Sequence, residues 1–141
     1  SRMKLQSTEN AVRLTINDDP DRVIAFNPND AGFAERFFAM LDKVEAEEAR
    51  VNAVLAEYAG DDTVDGYGIP LPLRKAASLT AELCRFMRGQ IDEVFGEGTS
   101  QTAFGDVNVP EMFSEFFRGV TPYIREARSA ALSKYIGEAK A

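Results

Sequence analysis

The stretch FGEGTSQTAFG, Phe95 to Gly105, interrupts a chain that otherwise has the pattern of long helices. Its three glycines are typical of a corner where the backbone changes direction. Gly96 is placed to end the preceding helix as a left-handed C-cap. Thr99 or Ser100 can cap a short helical turn, with a phenylalanine on each side to anchor the corner. The residues assigned to this corner are Phe95, Gly96, Glu97, Gly98, Thr99, Ser100, Phe104 and Gly105.

A glycine-rich stretch ahead of a helix can also bind phosphate through its backbone amides. A P-loop requires a lysine and a hydroxyl after its last glycine, and it follows a strand. Here Gly98 is followed by Thr99 and Ser100 without a lysine, and Glu97 would repel a phosphate. The residues favour the structural corner, and anion binding at Gly96–Ser100 remains an alternative.

Three long segments with helical periodicity lie around this corner. The first runs from Ala31 to about Ala59, after the capping sequence 27–30. The second covers Leu73 to Phe95. The last begins at Pro110, after a capping Asn108, and runs to about Gly137. Pro122 lies inside this last helix and is predicted to kink it one turn earlier.

The N-terminal part of the chain has the pattern of a β-hairpin over residues 11–26. Val12, Leu14 and Ile16 alternate with polar residues, which predicts a strand. The sequence NDDPD, residues 17–21, is a turn signal, and residues 22–26 form a second strand. Because a lone hairpin is marginal in water, we expect it to pack on the helices.

The fold class predicted from these patterns is mainly α with a minor β part. We expect an elongated bundle of three long helices, a short helical turn and the N-terminal hairpin. The length of 141 residues fits a single domain, 1–141. Ser1 and Arg2 precede Met3 and are expected to be a cloning remnant.

Residues 60–72, GDDTVDGYGIPLP, are predicted to be a flexible acidic linker. Three aspartates lie in it, but the alternating acids and closing glutamate of a calcium-binding EF-hand loop are absent. We therefore predict no metal site here.

The composition excludes several kinds of chemistry. The chain has no histidine and one cysteine, Cys84. Histidine-based acid–base catalysis, histidine-ligated zinc and an internal disulfide are therefore excluded. Cys84 lies among helix formers and is predicted to be an inert thiol. We predict a non-enzymatic protein without a cofactor.

The net charge of −7 argues against binding to nucleic acid and to anionic lipid. No apolar run has the 18 or more residues of a membrane span, and the N-terminus lacks the apolar core of a signal peptide. We expect a cytoplasmic protein.

The run from Ile91 to Phe117 resembles a family of small proteins from the tail modules of long-tailed phages and prophages. These proteins are described as tail assembly chaperone-like or as of unknown function. The resemblance is carried by FGEGTS, by the pair Phe104-Gly105 and by Asn108 before a phenylalanine-rich helix. The N-terminal hairpin and the helix after it are similar in layout, whereas the acidic linker and the basic C-terminal tail match no feature of the family.

The resemblance implies a protein of the host cytoplasm that assists tail assembly. Its implied partner is the tape-measure protein or another tail protein, bound through apolar helix faces, and a homo-oligomer is compatible. Phe38, Leu132 and Ile136 lie off the main apolar stripes of their helices and are the candidate partner-binding residues. They could instead contact the hairpin or a neighbouring helix. Retention in the virion as a structural tail component is the second functional alternative.

Overall fold

A computed structural model of the chain describes residues 1–5, 9 and 11–140. Its elements, in chain order, are β1 (Val12–Ile16), β2 (Asp19–Phe26), α1 (Ala31–Ala56), α2 (Leu71–Phe95), α3 (Thr99–Phe104) and α4 (Pro110–Lys140). The prediction of a mainly helical chain with three long helices, one short helix and an N-terminal hairpin is confirmed.

The hairpin turns more tightly than its sequence indicated. β1 and β2 are antiparallel, and Ile16 already pairs with Asp19. Only Asn17 and Asp18 form the connection, both at positive φ (52° and 59°), as two-residue hairpin turns require. The register then shifts before Thr15 pairs with Val23, so that residues 20–22 bulge out of the ladder.

The helices α1 and α2 form an antiparallel pair. At one end, the ring of Phe95 lies 5.3 Å from that of Phe33. At the other end, Lys75 lies over the ring of Tyr58. Asp30 caps α1 by accepting hydrogen bonds from the amides of Gly32 and Phe33.

Two helix boundaries differ from the predicted ones. α1 ends at Ala56, about one turn before the predicted Ala59. α2 begins at Leu71 rather than Leu73. Pro72 fits in the first turn of α2, because backbone N–H groups in the first turn of a helix have no acceptor within the helix. The N–H that proline lacks is therefore not missed there. The connection between α1 and α2 therefore covers residues 57–70, so it begins and ends earlier than the predicted linker 60–72.

The core lies where the hairpin, α3 and the end of α2 meet α1 and α4. The partly buried Phe95 packs against this core, with its ring centroid 5.6 Å from that of Phe26, 6.1 Å from that of Phe37 and 5.3 Å from that of Phe116. The buried apolar side chains are Ile24, Phe26, Phe33, Ala34, Phe37, Met40, Val44, Val51, Leu83, Cys84, Met87, Ile91, Ala103, Phe104, Phe113, Phe116, Val120 and Ile124.

α4 continues through Pro122 to Lys140. The hydroxyl of Thr121 donates a hydrogen bond to the carbonyl of Phe117, one turn earlier (2.5 Å). The kink at Pro122 stays a prediction. Ile124 is the last fully buried residue of α4, so the helix extends beyond the core.

Candidate functional site

The short helix α3 is held at both ends by charged side chains from other elements. At its N-terminus, Asp92 of α2 accepts hydrogen bonds from the amide (2.8 Å) and the hydroxyl (3.1 Å) of Ser100. At its C-terminus, Arg22 of β2 donates to the carbonyls of Thr102 (3.0 Å) and Ala103 (2.5 Å). A carboxylate at the N-terminus and a guanidinium at the C-terminus also complement the helix dipole.

The glycines of the corner have different conformations from those expected. Gly96 follows α2 as predicted and has a positive φ of 118°, but its ψ of 145° lies outside the left-handed helical region. Gly98 has the left-handed conformation (φ 89°, ψ −9°) and directly precedes α3. The predicted capping by Thr99 or Ser100 is replaced by the Asp92 carboxylate, which the sequence pattern did not indicate.

Arg88 of α2 fixes the segment between α3 and α4. It donates hydrogen bonds to the side-chain oxygen of Asn108 (2.7 Å) and to the carbonyl of Val107 (2.6 Å). Its guanidinium lies 5.7 Å and 5.8 Å from the ring centroids of Phe104 and Phe113. Asn108 was predicted to cap α4, but it lies one residue before the capping position and serves Arg88 instead.

The geometry of the corner counts against anion binding at Gly96–Ser100. The Ser100 amide already donates to Asp92, and the Thr99 amide donates to the Gly96 carbonyl (3.2 Å). A bound anion would have to displace the Asp92 carboxylate and approach Glu97. The corner therefore acts as a joint: its residues connect α2 to α3, bring Phe104 into the core and pack Phe95 against it.

An open groove of about 550 Å³ lies between the hairpin and α4. Leu14 and Ile16 of β1 form one wall, and Met112 and Tyr123 of α4 line the other. Two charged side chains line it, and the guanidinium of one of them, Arg22, is already bonded to α3. The groove thus presents a mainly apolar surface without a cluster of reactive groups.

Metal ligands and activated thiols are not found in the described part of the chain. No group of three or more His, Cys, Asp or Glu side chains within residues 1–5, 9 and 11–140 could hold a metal ion. Burial raises the pKa of the Cys84 thiol, which keeps it protonated. None of the described helices is long and apolar enough to cross a membrane.

The three candidate partner-binding residues all lie at the surface. Phe38 is 47% exposed on α1 and contacts the neighbouring ring of Phe37 edge-on. Leu132 and Ile136 are 58% and 43% exposed on the part of α4 beyond the core. Tyr135, which the sequence analysis missed, is exposed between them. Their apolar surface is therefore open to a partner, and we call Leu132, Tyr135 and Ile136 the tail stripe.

A second exposed apolar surface, also missed, lies in the connection between α1 and α2. Its members are Val64, Tyr67, Ile69 and Leu73, which we call the tip surface. Tyr67 is 89% exposed between two glycines. An aromatic residue flanked by glycines in an acidic loop is a signal that could have identified it.

The tip surface is held by a loop with its own hydrogen bonds. The carboxylate of Asp65 accepts from the amides of Tyr67 (2.8 Å) and Ile69 (3.0 Å) and forms an ion pair with Arg74. The amide of Leu71 donates to the carbonyl of Thr63 across the loop (2.8 Å). The hydrogen bond from Ile69, together with those from Tyr67 and Arg74, lowers the pKa of Asp65. The predicted flexibility of this segment stays a prediction.

The fold and these surfaces define a mainly helical protein with apolar side chains exposed on α1, α4 and the connection between α1 and α2, including the first turn of α2. A family model matches residues 21–140, and the chain belongs to that family, the family of unknown function DUF6673. No curated protein and no solved structure matches the chain.

Proposed function

We propose that the chain is a non-enzymatic binding protein, a tail assembly chaperone-like factor of a long-tailed phage, which acts in the host cytoplasm. Its partner is the tape-measure protein or another tail protein with exposed apolar helices. The tail stripe is the observation that carries this proposal. Its side chains are exposed on the part of α4 that extends beyond the buried Ile124.

A protruding amphipathic helix is suited to cover another helix. Side chains three and four positions apart form one face of a helix. When this face packs against an apolar partner, the face and the partner's apolar surface are both removed from water. Phe38 on α1 offers a second contact of the same kind. Arg88 of α2 supports these surfaces by bonding to Val107 and Asn108, directly before α4.

The proposal is tested by co-expressing the chain with the tape-measure protein encoded in the same tail module and capturing the complex. We expect capture by the wild type and loss of capture by the variant Leu132→Asp/Ile136→Asp. The matched control is Ala130→Asp/Gly137→Asp, which adds the same two charges at exposed positions on the other side of α4. If neither the tape-measure protein nor another tail protein of that module is captured, the proposed function is wrong.

A further inference from the structure

The tip surface and the tail stripe have complementary charges. From Glu57 to Leu73 every charged residue is acidic, and of the two cations that follow, Arg74 pairs with Asp65 and Lys75 lies over the ring of Tyr58. This leaves the carboxylates of Glu57, Asp61 and Asp62 around the apolar side chains of the tip. Hydrogen bonds from the hydroxyl and the amide of Thr63 lower the pKa of Asp61, so its carboxylate stays charged below the usual pH range of an aspartate.

Two arginines precede the tail stripe on the same side of α4. At about 100° per residue, Arg125 and Arg128 project from the same side of α4 as Leu132, Tyr135 and Ile136. All five fall within an arc of about 100°, and Glu126 and Glu138 fall outside that arc. This side of α4 therefore combines the exposed Arg125 and the half-buried Arg128, which also donates to the carbonyl of Asn29, with the three exposed apolar side chains of the tail stripe.

The two surfaces cannot cover each other within one molecule. α1 has 26 residues and is about 39 Å long, with the tip surface at its C-terminal end. At its N-terminal end, the side chain of Arg128 donates to the carbonyl of Asn29 (3.3 Å). Ile136 is eight residues beyond Arg128, about 12 Å along α4, so the tail stripe stays within about 20 Å of the start of α1. A gap of roughly 20 Å separates the surfaces.

We propose that the tip surface of one molecule docks on the tail stripe of a second copy of this chain. The contact is head-to-tail, so a pair of molecules keeps one unused tip and one unused stripe, and further copies assemble into open chains or a closed ring. The tip loop is already held in place by Asp65, so little ordering entropy is lost when it docks. Each surface has only three or four apolar side chains, well below the area of a stable dimer, so we expect weak, concentration-dependent association.

This inference rests on the proposed function in one respect, that the tail stripe binds protein. The two proposals are tested with different samples. Self-association is measured on the purified chain alone, whereas partner capture requires a tail protein. A tip variant that no longer self-associates but still captures a tail protein would leave the proposed function intact.

The test uses two variants and light scattering coupled to size-exclusion chromatography. Tyr67→Ser/Leu73→Ser removes the two most exposed apolar side chains of the tip surface, and Leu132→Asp places an acid in the tail stripe. Both changes are at exposed side chains, and circular dichroism checks that the helices are retained. We expect each variant alone to be monomeric at concentrations where the wild type assembles. An equal mixture should form a species of twice the monomer mass and no larger one, because one intact tip meets one intact stripe.

The wild type provides an independent measurement. The apparent association constant should fall about threefold or more between about 50 mM and about 500 mM NaCl, because salt screens the attraction between the acidic tip and the arginines beside the tail stripe. A wild type that stays monomeric at high concentration overturns the proposal, as does self-association that is insensitive to salt. Assembly that survives in the tip variant, or a mixture that stays monomeric, also overturns it.

Discussion

At the scale of single residues, the corner depends on side chains that are distant in sequence. Arg22 and the carbonyl that it reaches at Ala103 are 81 positions apart. Asp92 supplies the cap that a residue of the corner was expected to provide. A helix of six residues is too short to be stable by itself, so α3 depends on these two contacts and on the burial of Phe104.

Replacing Arg22 with methionine should lower the free energy of unfolding by about 2–3 kcal/mol. The methionine keeps an apolar stem, but the carbonyls of Thr102 and Ala103 lose a charged donor in a partly buried place. Arg13→Met is the matched control, because Arg13 is exposed on the outer face of β1. Urea unfolding of both variants makes the measurement, and equal losses would show that Arg22 has no special role.

Cys84 should react slowly with alkylating agents in the folded protein. Its side chain is fully buried, and the raised pKa reduces the thiolate fraction at any given pH. At a pH near 8, we expect iodoacetamide to label Cys84 at least about 100-fold more slowly in the native protein than in denaturant. Mass spectrometry over time makes the measurement. Rapid labelling of the native protein would show that α2 opens locally or that Cys84 has a reactive environment.

At the scale of elements, the periodicity of the sequence was sufficient to place the three long helices. The hairpin and the corner were also predictable, because alternation and clusters of glycine are local signals. The contacts that fix the corner were not, since no local pattern indicates that Arg22, Arg88 or Asp92 will meet a backbone 8 to 81 positions away. The organised tip loop was missed for the same reason: its glycines and prolines indicate a break in regular structure but not which carboxylate will close the loop.

Asp65→Asn should weaken the tip loop at neutral pH. The folded-state pKa of Asp65 is lowered by hydrogen bonds from Ile69 and Tyr67 and by Arg74, so its charged form stabilises the loop. That contribution is fully present above the ordinary value of 3.8 and is lost as the pH falls through the lowered folded value. Amide exchange of residues 66–69 should be faster in the variant at neutral pH, and the difference should narrow below 3.8.

Asp62→Asn is the control for this experiment, since Asp62 is exposed in the same loop. It removes the same charge but leaves the hydrogen bonds of Asp65 in place. If both variants exchange equally fast, net charge rather than the Asp65 contacts governs the loop.

At the scale of the whole molecule, the core contacts of α4 and its proposed binding surface lie in different segments of the helix. The segment from Pro110 to Ile124 contributes Phe113, Phe116, Val120 and Ile124 to the core. The segment after Ala131 is exposed at every position whose side chain is described. Helical periodicity alone does not distinguish these segments, because it predicts a helix but not where its neighbours end.

Truncation after Ala131 should therefore leave the fold intact and remove self-association. The deleted residues bury almost no apolar surface, so we expect the thermal midpoint to change by no more than about 2 °C. A deeper truncation after Thr121 is the contrasting variant, because it also removes Ile124, which is fully buried. Loss of that side chain alone should cost about 2–5 kcal/mol. Thermal unfolding followed by circular dichroism compares the two, and light scattering follows assembly. If the shorter deletion lowers the midpoint as much as the deeper one, the end of α4 belongs to the folding unit and is not reserved for a partner.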